Sequence, residues 1–162
     1  MTPRTTESEI RRAIFPGSFN PFTAGHYDIA MRALSLFDEL IIGVGVNFEK
    51  GAFEADERIA PIERLFEGNP RVSVRPYSGL TADFALEVGA VAIVRGVRSA
   101  KDFEYERDMA DINSRLAPVQ TVVLFARPEL AAVSSSVVRE LISIGRDVTD
   151  FLPKPPNSET KK

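Results

Sequence analysis

Short apolar runs alternate with amphipathic segments along most of the chain, and this alternation predicts an α/β sheet. Most of the apolar runs are continuous, as in parallel strands that are buried on both faces. Five strands are expected, at Ala13–Phe15, Leu40–Val46, Val72–Tyr77, Val91–Val94 and Thr121–Phe125. The predicted fold class is therefore α/β, a Rossmann-like doubly wound sheet of five parallel strands with helices on both faces.

Helical spacing of apolar residues follows each predicted strand. The predicted helices are His26–Asp38, Ala55–Glu67, Thr81–Val88, Lys101–Leu116 and a last helix that begins in Ser134-Ser135-Ser136 and ends near Gly145. Pro61 interrupts the second helix, and this predicts either a kink or a helix that restarts with Pro61 in its first turn. In the fourth helix one face is apolar, with Tyr105, Met109, Ile112 and Leu116.

The length of 162 residues suits a single domain, residues 1–162. Residues 1–11 are polar, and residues 154–162 are polar and rich in proline. Both segments are expected to be flexible.

Composition narrows the classes of function. No apolar run is long enough to span a membrane, and the first residues lack the apolar core of a signal peptide, so a cytoplasmic protein is expected. The chain has no cysteine, which excludes disulfides and thiolate metal sites. The formal net charge of −3 argues against a nucleic-acid partner, and any anion site must be local.

Candidate site residues follow the predicted strands, where parallel α/β sheets bind ligands. The first group is the segment Phe15–His26, which joins the first strand to the first helix. Its glycines and prolines permit a tight path and a close backbone approach to a ligand. Ser18 offers a hydroxyl, and His26, the chain's one histidine, stands where the helix N-terminus favours anions.

Two further groups carry residues that suit phosphates. Arg95-Gly96-Val97-Arg98 follows the fourth strand, and two guanidinium forks there could clamp a phosphate. They could equally be surface arginines paired with Asp102 or Glu106. Ser134-Ser135-Ser136 offers three hydroxyls at a helix start, where one would suffice as a cap.

Lys50, after the second strand, could bridge two phosphates, although a solvated lysine is the simpler interpretation.

Together these motifs resemble phosphopantetheine adenylyltransferases, nucleotidyltransferases with an H/T-x-G-H signature. The signature here is Thr23-Ala24-Gly25-His26, and the more specific matches are Arg95–Glu106 and Ser134–Glu140. The resemblance covers about Arg12 to Pro153. It implies a reaction of ATP with 4′-phosphopantetheine that gives dephospho-coenzyme A and pyrophosphate, with Mg²⁺ as cofactor and a homohexamer as the assembly.

The resemblance also implies roles for individual residues. His26, Ser18 and Lys50 would be catalytic, with His26 on the ATP α-phosphate and Ser18 orienting the attacking phosphate. Ser18, Lys50, Thr81 and Arg95 would hold the phosphopantetheine substrate. The metal ligands cannot be assigned. ATP would be held by Ser18, Phe19, His26, Gly96, Val97, Arg98, Glu106, Leu130, Ala131, Ala132, Val133, Ser134, Ser135 and Ser136.

Two alternatives stay open at this point. One is an adenylyltransferase for another phosphorylated acceptor, such as a pyridine mononucleotide. The other is a non-catalytic nucleotide-binding sensor, since the same glycines, arginines and serines could hold ATP without turnover. Mixing ATP, Mg²⁺ and each acceptor distinguishes the three, because only an enzyme releases pyrophosphate.

Overall fold

The computed structural model describes residues 9–47 and 52–154 of the chain, with the side chains of the second range described from residue 55 onward. The five strands are all parallel and lie in the order β3-β2-β1-β4-β5, which confirms the predicted fold class. Their bounds are β1 Arg12–Gly17, β2 Glu39–Gly45, β3 Val72–Tyr77, β4 Ala92–Val97 and β5 Gln120–Phe125.

Each strand is followed by a helix, as the alternation predicts. The helices are α1 Ala24–Ala33, α2 Ala52–Leu65, α3 Thr81–Val88, α4 Ala100–Leu116 and α5 Ser135–Ser143. A short 3₁₀ turn at Pro128–Leu130 lies between β5 and α5, and another at Thr149–Phe151 follows α5. In the described part of the chain, none of these helices is long and apolar enough to cross a membrane.

Several predicted boundaries differ from the structure. The first helix ends at Ala33 and continues only as turns, and α2 runs unbroken past Pro61, so no new helix starts there. Pro61 costs one backbone hydrogen bond, which the packing of the helix offsets. The residues 95–97, expected in a loop, are the last residues of β4, and they pair with β5.

Two apolar cores cover the two faces of the sheet. Alternate residues of one strand point to opposite faces: Ala13 and Phe15 pack with α1 and α2, whereas Ile14 packs with α3. The central strands are buried almost throughout, which accounts for their continuous apolar sequence.

The apolar face predicted for α4 does not lie in either core. Tyr105, Ile112 and Leu116 are about half exposed, and the fully buried residue of this helix is Glu106. The helix itself is confirmed, but the described part of this chain does not cover its apolar face.

Candidate active site

The site lies at the carboxyl ends of β1 and β4, which are neighbours in the middle of the sheet. From β1 the chain turns towards β2, and from β4 it turns the other way, towards β5. The connections therefore diverge and leave a crevice between them. The loops that follow β1, β4 and β5 line this crevice.

The main cavity of this crevice has a volume of about 300 Å³. It is here called the nucleotide cavity, because the resemblance assigns ATP to most of its polar residues. It brings together residues from three of the predicted motifs, which are far apart along the chain. Its lining residues are Phe15, Ser18, Thr23, Gly25, His26, Ile29, Gly96, Arg98, Ala126, Leu130, Val133, Ser134, Ser135, Ser136 and Arg139.

His26 is oriented by a capping box at the start of α1. Its backbone N–H donates to Thr23 Oγ1 at 3.3 Å, and its ring Nδ1 accepts from the Thr23 backbone N–H at 2.9 Å. Because Nδ1 is an acceptor, the proton of the neutral ring is carried by Nε2. The imidazole is thereby fixed as a hydrogen-bond donor to the cavity it lines.

His26 stays neutral at physiological pH. Burial, together with the positive charges of Arg98 and Arg95, lowers the pKa of His26 from 6.5 to about 4. A neutral ring with one fixed N–H suits a group that donates to a phosphate oxygen without exchanging protons with it.

Three phenylalanines surround the histidine ring. Phe15, Phe19 and Phe22 have ring centroids 6.3, 5.0 and 5.4 Å from that of His26. Phe19 has a left-handed φ of 47°, an unfavourable conformation for a bulky residue. Its ring lies so close to Gly17 that a Cβ there would stand 2.9 Å from it, so a larger residue at that position would displace the ring. The aromatic group holds His26 in place and contributes to its burial.

The loop that carries Ser18 is tied to the start of α5. Ser135 Oγ donates to the Pro21 carbonyl at 2.8 Å, and Arg139 Nη1 donates to the Asn20 carbonyl at 2.6 Å. Ser18, His26 and the first turn of α5 therefore form one connected wall of the cavity.

The first turn of α5 presents hydroxyls and free backbone N–H groups. Ser134 caps the helix by accepting from the Val137 N–H at 3.2 Å, and Ser136 Oγ accepts from Arg139 at 3.3 Å. Helix N-termini attract anions because the backbone N–H groups and the helix dipole point outward there. All three serines and Arg139 line the nucleotide cavity, as a polyphosphate site requires.

The two arginines of the second motif have different partners. Arg95 forms a bidentate ion pair with Glu106, in which its Nε and Nη2 atoms donate to the two carboxylate oxygens at 2.9 and 2.7 Å. Its Nη1 atom donates to the Pro16 carbonyl at 2.7 Å. Arg98 lies 3.4 Å from Asp102 and is more exposed. The pairing with Glu106 and Asp102 is confirmed, and both arginines lie at the crevice. Their binding of a phosphate stays a prediction.

Arg95 and Thr81, which the resemblance assigns to the acceptor, line a second cavity of about 120 Å³, here called the acceptor cavity for that reason. Thr81 Oγ1 is 3.0 Å from the Tyr77 hydroxyl. A third cavity of about 190 Å³, here called the connecting cavity, has Ser18 and His26 in common with the nucleotide cavity and Arg95 in common with the acceptor cavity. Lys50, the remaining residue assigned to the acceptor, lies outside the described residues. The acceptor cavity is lined by Pro16, Thr81, Ile93, Arg95, Tyr105, Glu106, Met109, Ala110, Asn113 and Thr121.

Several residues that the resemblance assigns to ATP do not line the nucleotide cavity. Phe19 packs behind His26, Val97 is buried at the end of β4, and Glu106 lines the acceptor cavity instead. Ala131 and Ala132, which follow the 3₁₀ turn, are also absent from its lining. Leu130, Val133 and the other assigned residues of the described chain line it.

Arg139 is a cavity residue that sequence reasoning missed as a ligand group. It belongs to the motif Ser134–Glu140, and its spacing of one helical turn from Ser135 and Ser136 was the available signal. The grouping of Phe15, Phe19 and Phe22 around His26 was also missed, because the local sequence does not show that these rings meet.

The donor set of the site is unsuited to holding a metal by itself. Within the part of the chain that the structure describes, no three His, Asp or Glu residues gather to form a metal site. The cavity offers hydroxyls, guanidinium groups and backbone N–H groups, which bind phosphates. Mg²⁺ prefers oxygen ligands and keeps several waters, so it would enter this site on the phosphates of a nucleotide.

The chain is similar to known nucleotidyltransferases. The cytidylyltransferase-like family model matches residues 14–141. The chain is 52% identical over 146 residues to the phosphopantetheine adenylyltransferase of Phocaeicola vulgatus, covering 90% of this chain and 97% of that protein. It is also 52% identical over 143 residues to the phosphopantetheine adenylyltransferase of Porphyromonas gingivalis, covering 88% and 94%.

Solved structures share the fold at lower identity. A bifunctional NMN adenylyltransferase/ADP ribose pyrophosphatase from Francisella tularensis matches with a TM-score of 0.68 and 17% identity. The match covers 89% of this chain and 45% of that longer one. At this identity the likeness concerns the fold alone.

Proposed function

Because the chain belongs to the phosphopantetheine adenylyltransferase family, we propose that it transfers an adenylyl group from ATP to 4′-phosphopantetheine, reversibly giving dephospho-coenzyme A and pyrophosphate. The observation that carries the proposal is the pair of cavities joined at Ser18, His26 and Arg95. One side suits a nucleoside triphosphate, and the other suits a phosphorylated acceptor.

The chemistry needs no general base. An oxygen of the acceptor phosphate, already ionised at neutral pH, attacks the α-phosphorus of ATP. The bond from that phosphorus to the bridging oxygen of the β-phosphate breaks, and pyrophosphate leaves with the electron pair. Catalysis then depends on positioning and on stabilisation of charge. The reaction substrate in this proposal is ATP with its Mg²⁺, which neutralises charge on the leaving pyrophosphate.

Each wall of the site has a part in this scheme. The Nε2–H of His26 donates to an α-phosphate oxygen, and its fixed orientation means that no reorganisation is needed as charge develops. The first turn of α5 and Arg98 hold the β- and γ-phosphates. Ser18 lines the nucleotide cavity and the connecting cavity, and in this scheme it orients the attacking phosphate.

Arg95 and Thr81 bind the acceptor in this proposal. The Glu106 carboxylate holds two of the guanidinium nitrogens, which fixes the direction of the arginine fork. The apolar side chains of Ile93 and Met109 line the same cavity and suit the uncharged part of a pantetheine chain.

The proposed assembly is a homohexamer. Support for an assembly comes from the exposed apolar face of α4, where Ile112 and Leu116 lie uncovered by the described chain. Contiguous exposed apolar side chains are typical of surfaces that another chain covers.

Pyrophosphate release tests the proposal directly. The purified protein is mixed with ATP, Mg²⁺ and, in separate reactions, 4′-phosphopantetheine, nicotinamide mononucleotide and nicotinate mononucleotide. Release with 4′-phosphopantetheine, and a much higher kcat/KM than with the pyridine nucleotides, is the expected result. Preference for a pyridine nucleotide would contradict the assigned acceptor, and ATP binding without release from any acceptor would contradict the enzyme assignment.

A further inference from the structure

Arg58 of α2 joins the first two loops of the active-site edge. Its Nη1 atom donates to the Ser18 carbonyl at 2.7 Å and to the Gly45 carbonyl at 3.1 Å. Ser18 follows β1, and Gly45 is the last residue of β2. One guanidinium nitrogen therefore fixes the separation between the ends of two neighbouring strands.

The carbonyl that Arg58 holds belongs to a strained part of the backbone. The peptide that begins with the Ser18 carbonyl leads into Phe19, whose φ of 47° is left-handed. A bulky residue keeps this conformation only where its surroundings determine it strongly. The phenylalanine rings hold Phe19 from one side, and the hydrogen bond from Arg58 holds the plane of the preceding peptide.

Arg58 has no direct place in the site. It lines neither the nucleotide cavity nor the connecting cavity, whereas Ser18 lines both. Its buried Nε atom finds no hydrogen-bond partner among the described residues, which is a cost for a side chain that served stability alone. An effect of Arg58 on the reaction would therefore act through the backbone it holds.

We propose that Arg58 is a positioning residue for adenylyl transfer, which sets Ser18 against the acceptor phosphate by holding its carbonyl together with that of Gly45. The inference rests on the proposed function. A small displacement of an orienting group costs rate far more than binding, because the reacting atoms must be held in line. The first turn of α5 contacts the same loop further along, at Asn20 and Pro21, and these hydrogen bonds do not involve Arg58, so they remain when Arg58 is replaced.

The test is the substitution Arg58→Met, which keeps an unbranched apolar stem and removes the donors. The expected result is a fall in kcat of about 10- to 100-fold, with the KM for ATP little changed. Arg58→Lys, which retains a cationic donor, recovers part of the rate. In a Ser18→Ala background, Arg58→Met has a much smaller effect, because the hydroxyl that it positions is gone.

The matched control is Arg64→Met, at an exposed arginine in the last turn of the same helix, which leaves kcat unchanged. Hydrogen exchange of residues 17–20 supplies a readout that needs no acceptor, and it should accelerate in Arg58→Met but not in Arg64→Met. Normal kcat in a folded Arg58→Met protein, or exchange equal to that of the wild type, would overturn the proposal. If the wild type itself fails to use 4′-phosphopantetheine, the proposed function fails while the exchange comparison still decides whether Arg58 holds the loop.

Discussion

His26 combines a fixed tautomer with a suppressed charge. The Thr23 backbone N–H occupies Nδ1, and burial in a cleft that also holds two arginines disfavours the imidazolium. A protonated ring would add a third cation beside Arg95 and Arg98 before any phosphate arrives, at a cost in stability. The neutral ring avoids that cost and still offers the N–H that the proposed mechanism uses.

Removal of the His26 side chain tests its part in the reaction. His26→Ala is expected to lower kcat by about 10²- to 10³-fold, the usual effect of losing one well-aimed donor. His26→Gln keeps an N–H near the position of Nε2 and should retain part of the rate. Steady-state pyrophosphate release measures both variants, and circular dichroism controls for folding. Near-normal turnover of His26→Ala would refute the assigned role.

The same residue makes stability depend on pH. Unfolded His26 titrates at 6.5 and the folded residue at about 4, so between these pH values the unfolded state binds more protons. The free energy of unfolding therefore decreases as the pH falls through this window. From pH 7 to pH 5, the wild type should lose about 2 kcal/mol more than His26→Gln. Denaturant titrations at the two pH values measure the difference, and equal losses would show that His26 titrates normally when folded.

At the scale of elements, the strands were the most predictable part of the fold. Burial on both faces imposes a continuous apolar run, so β3 was predicted with its exact bounds and the other strands within three residues of theirs. The ends of the strands were harder to predict, because Arg95 is charged and Gly96 has no side chain, although both pair with β5. The pairing partner across the sheet decides where such a strand ends, and the local sequence does not record it.

The parts of the site formed within one sequence motif were predictable, whereas contacts between distant segments were not. The capping box of Thr23 and His26 and the serines of α5 lie within single motifs. By contrast, Arg58 donates to a carbonyl forty residues away along the chain. Every residue type has a backbone carbonyl, so the sequence does not indicate which one accepts this hydrogen bond.

The contact between β4 and α4 carries a prediction of its own. Glu106 is 8% exposed, and Arg95 supplies two hydrogen bonds to its carboxylate. Arg95→Met leaves this buried carboxylate without its partner and should reduce the free energy of unfolding by about 2–3 kcal/mol. Adding Glu106→Met should restore most of the loss, because the second change removes the unpaired charge. Thermal or denaturant unfolding measures both variants, and additive losses would contradict the assigned pairing.

At the scale of the whole molecule, the exposed face of α4 is the feature that one chain leaves unexplained. Tyr105 and Met109 of this face line the acceptor cavity, while Ile112 and Leu116 continue it, about half exposed, along the same side of the helix. A neighbouring copy that covers Ile112 and Leu116 would therefore lie beside the acceptor cavity. In the proposed assembly, the contact between copies and the acceptor cavity would share one helix.

If this face is the contact between copies, negative charge placed on it should weaken the assembly. Ile112→Asp with Leu116→Asp should convert a particle of about six times the 17.9 kDa chain into smaller species, because burying carboxylates in an apolar contact is costly. Light scattering after size exclusion measures the mass. Arg107→Asp, at an exposed position on the opposite side of α4, serves as the control and should leave the mass unchanged. A wild-type monomer would exclude the assembly, and an intact particle in the double variant would place the contact elsewhere on the surface.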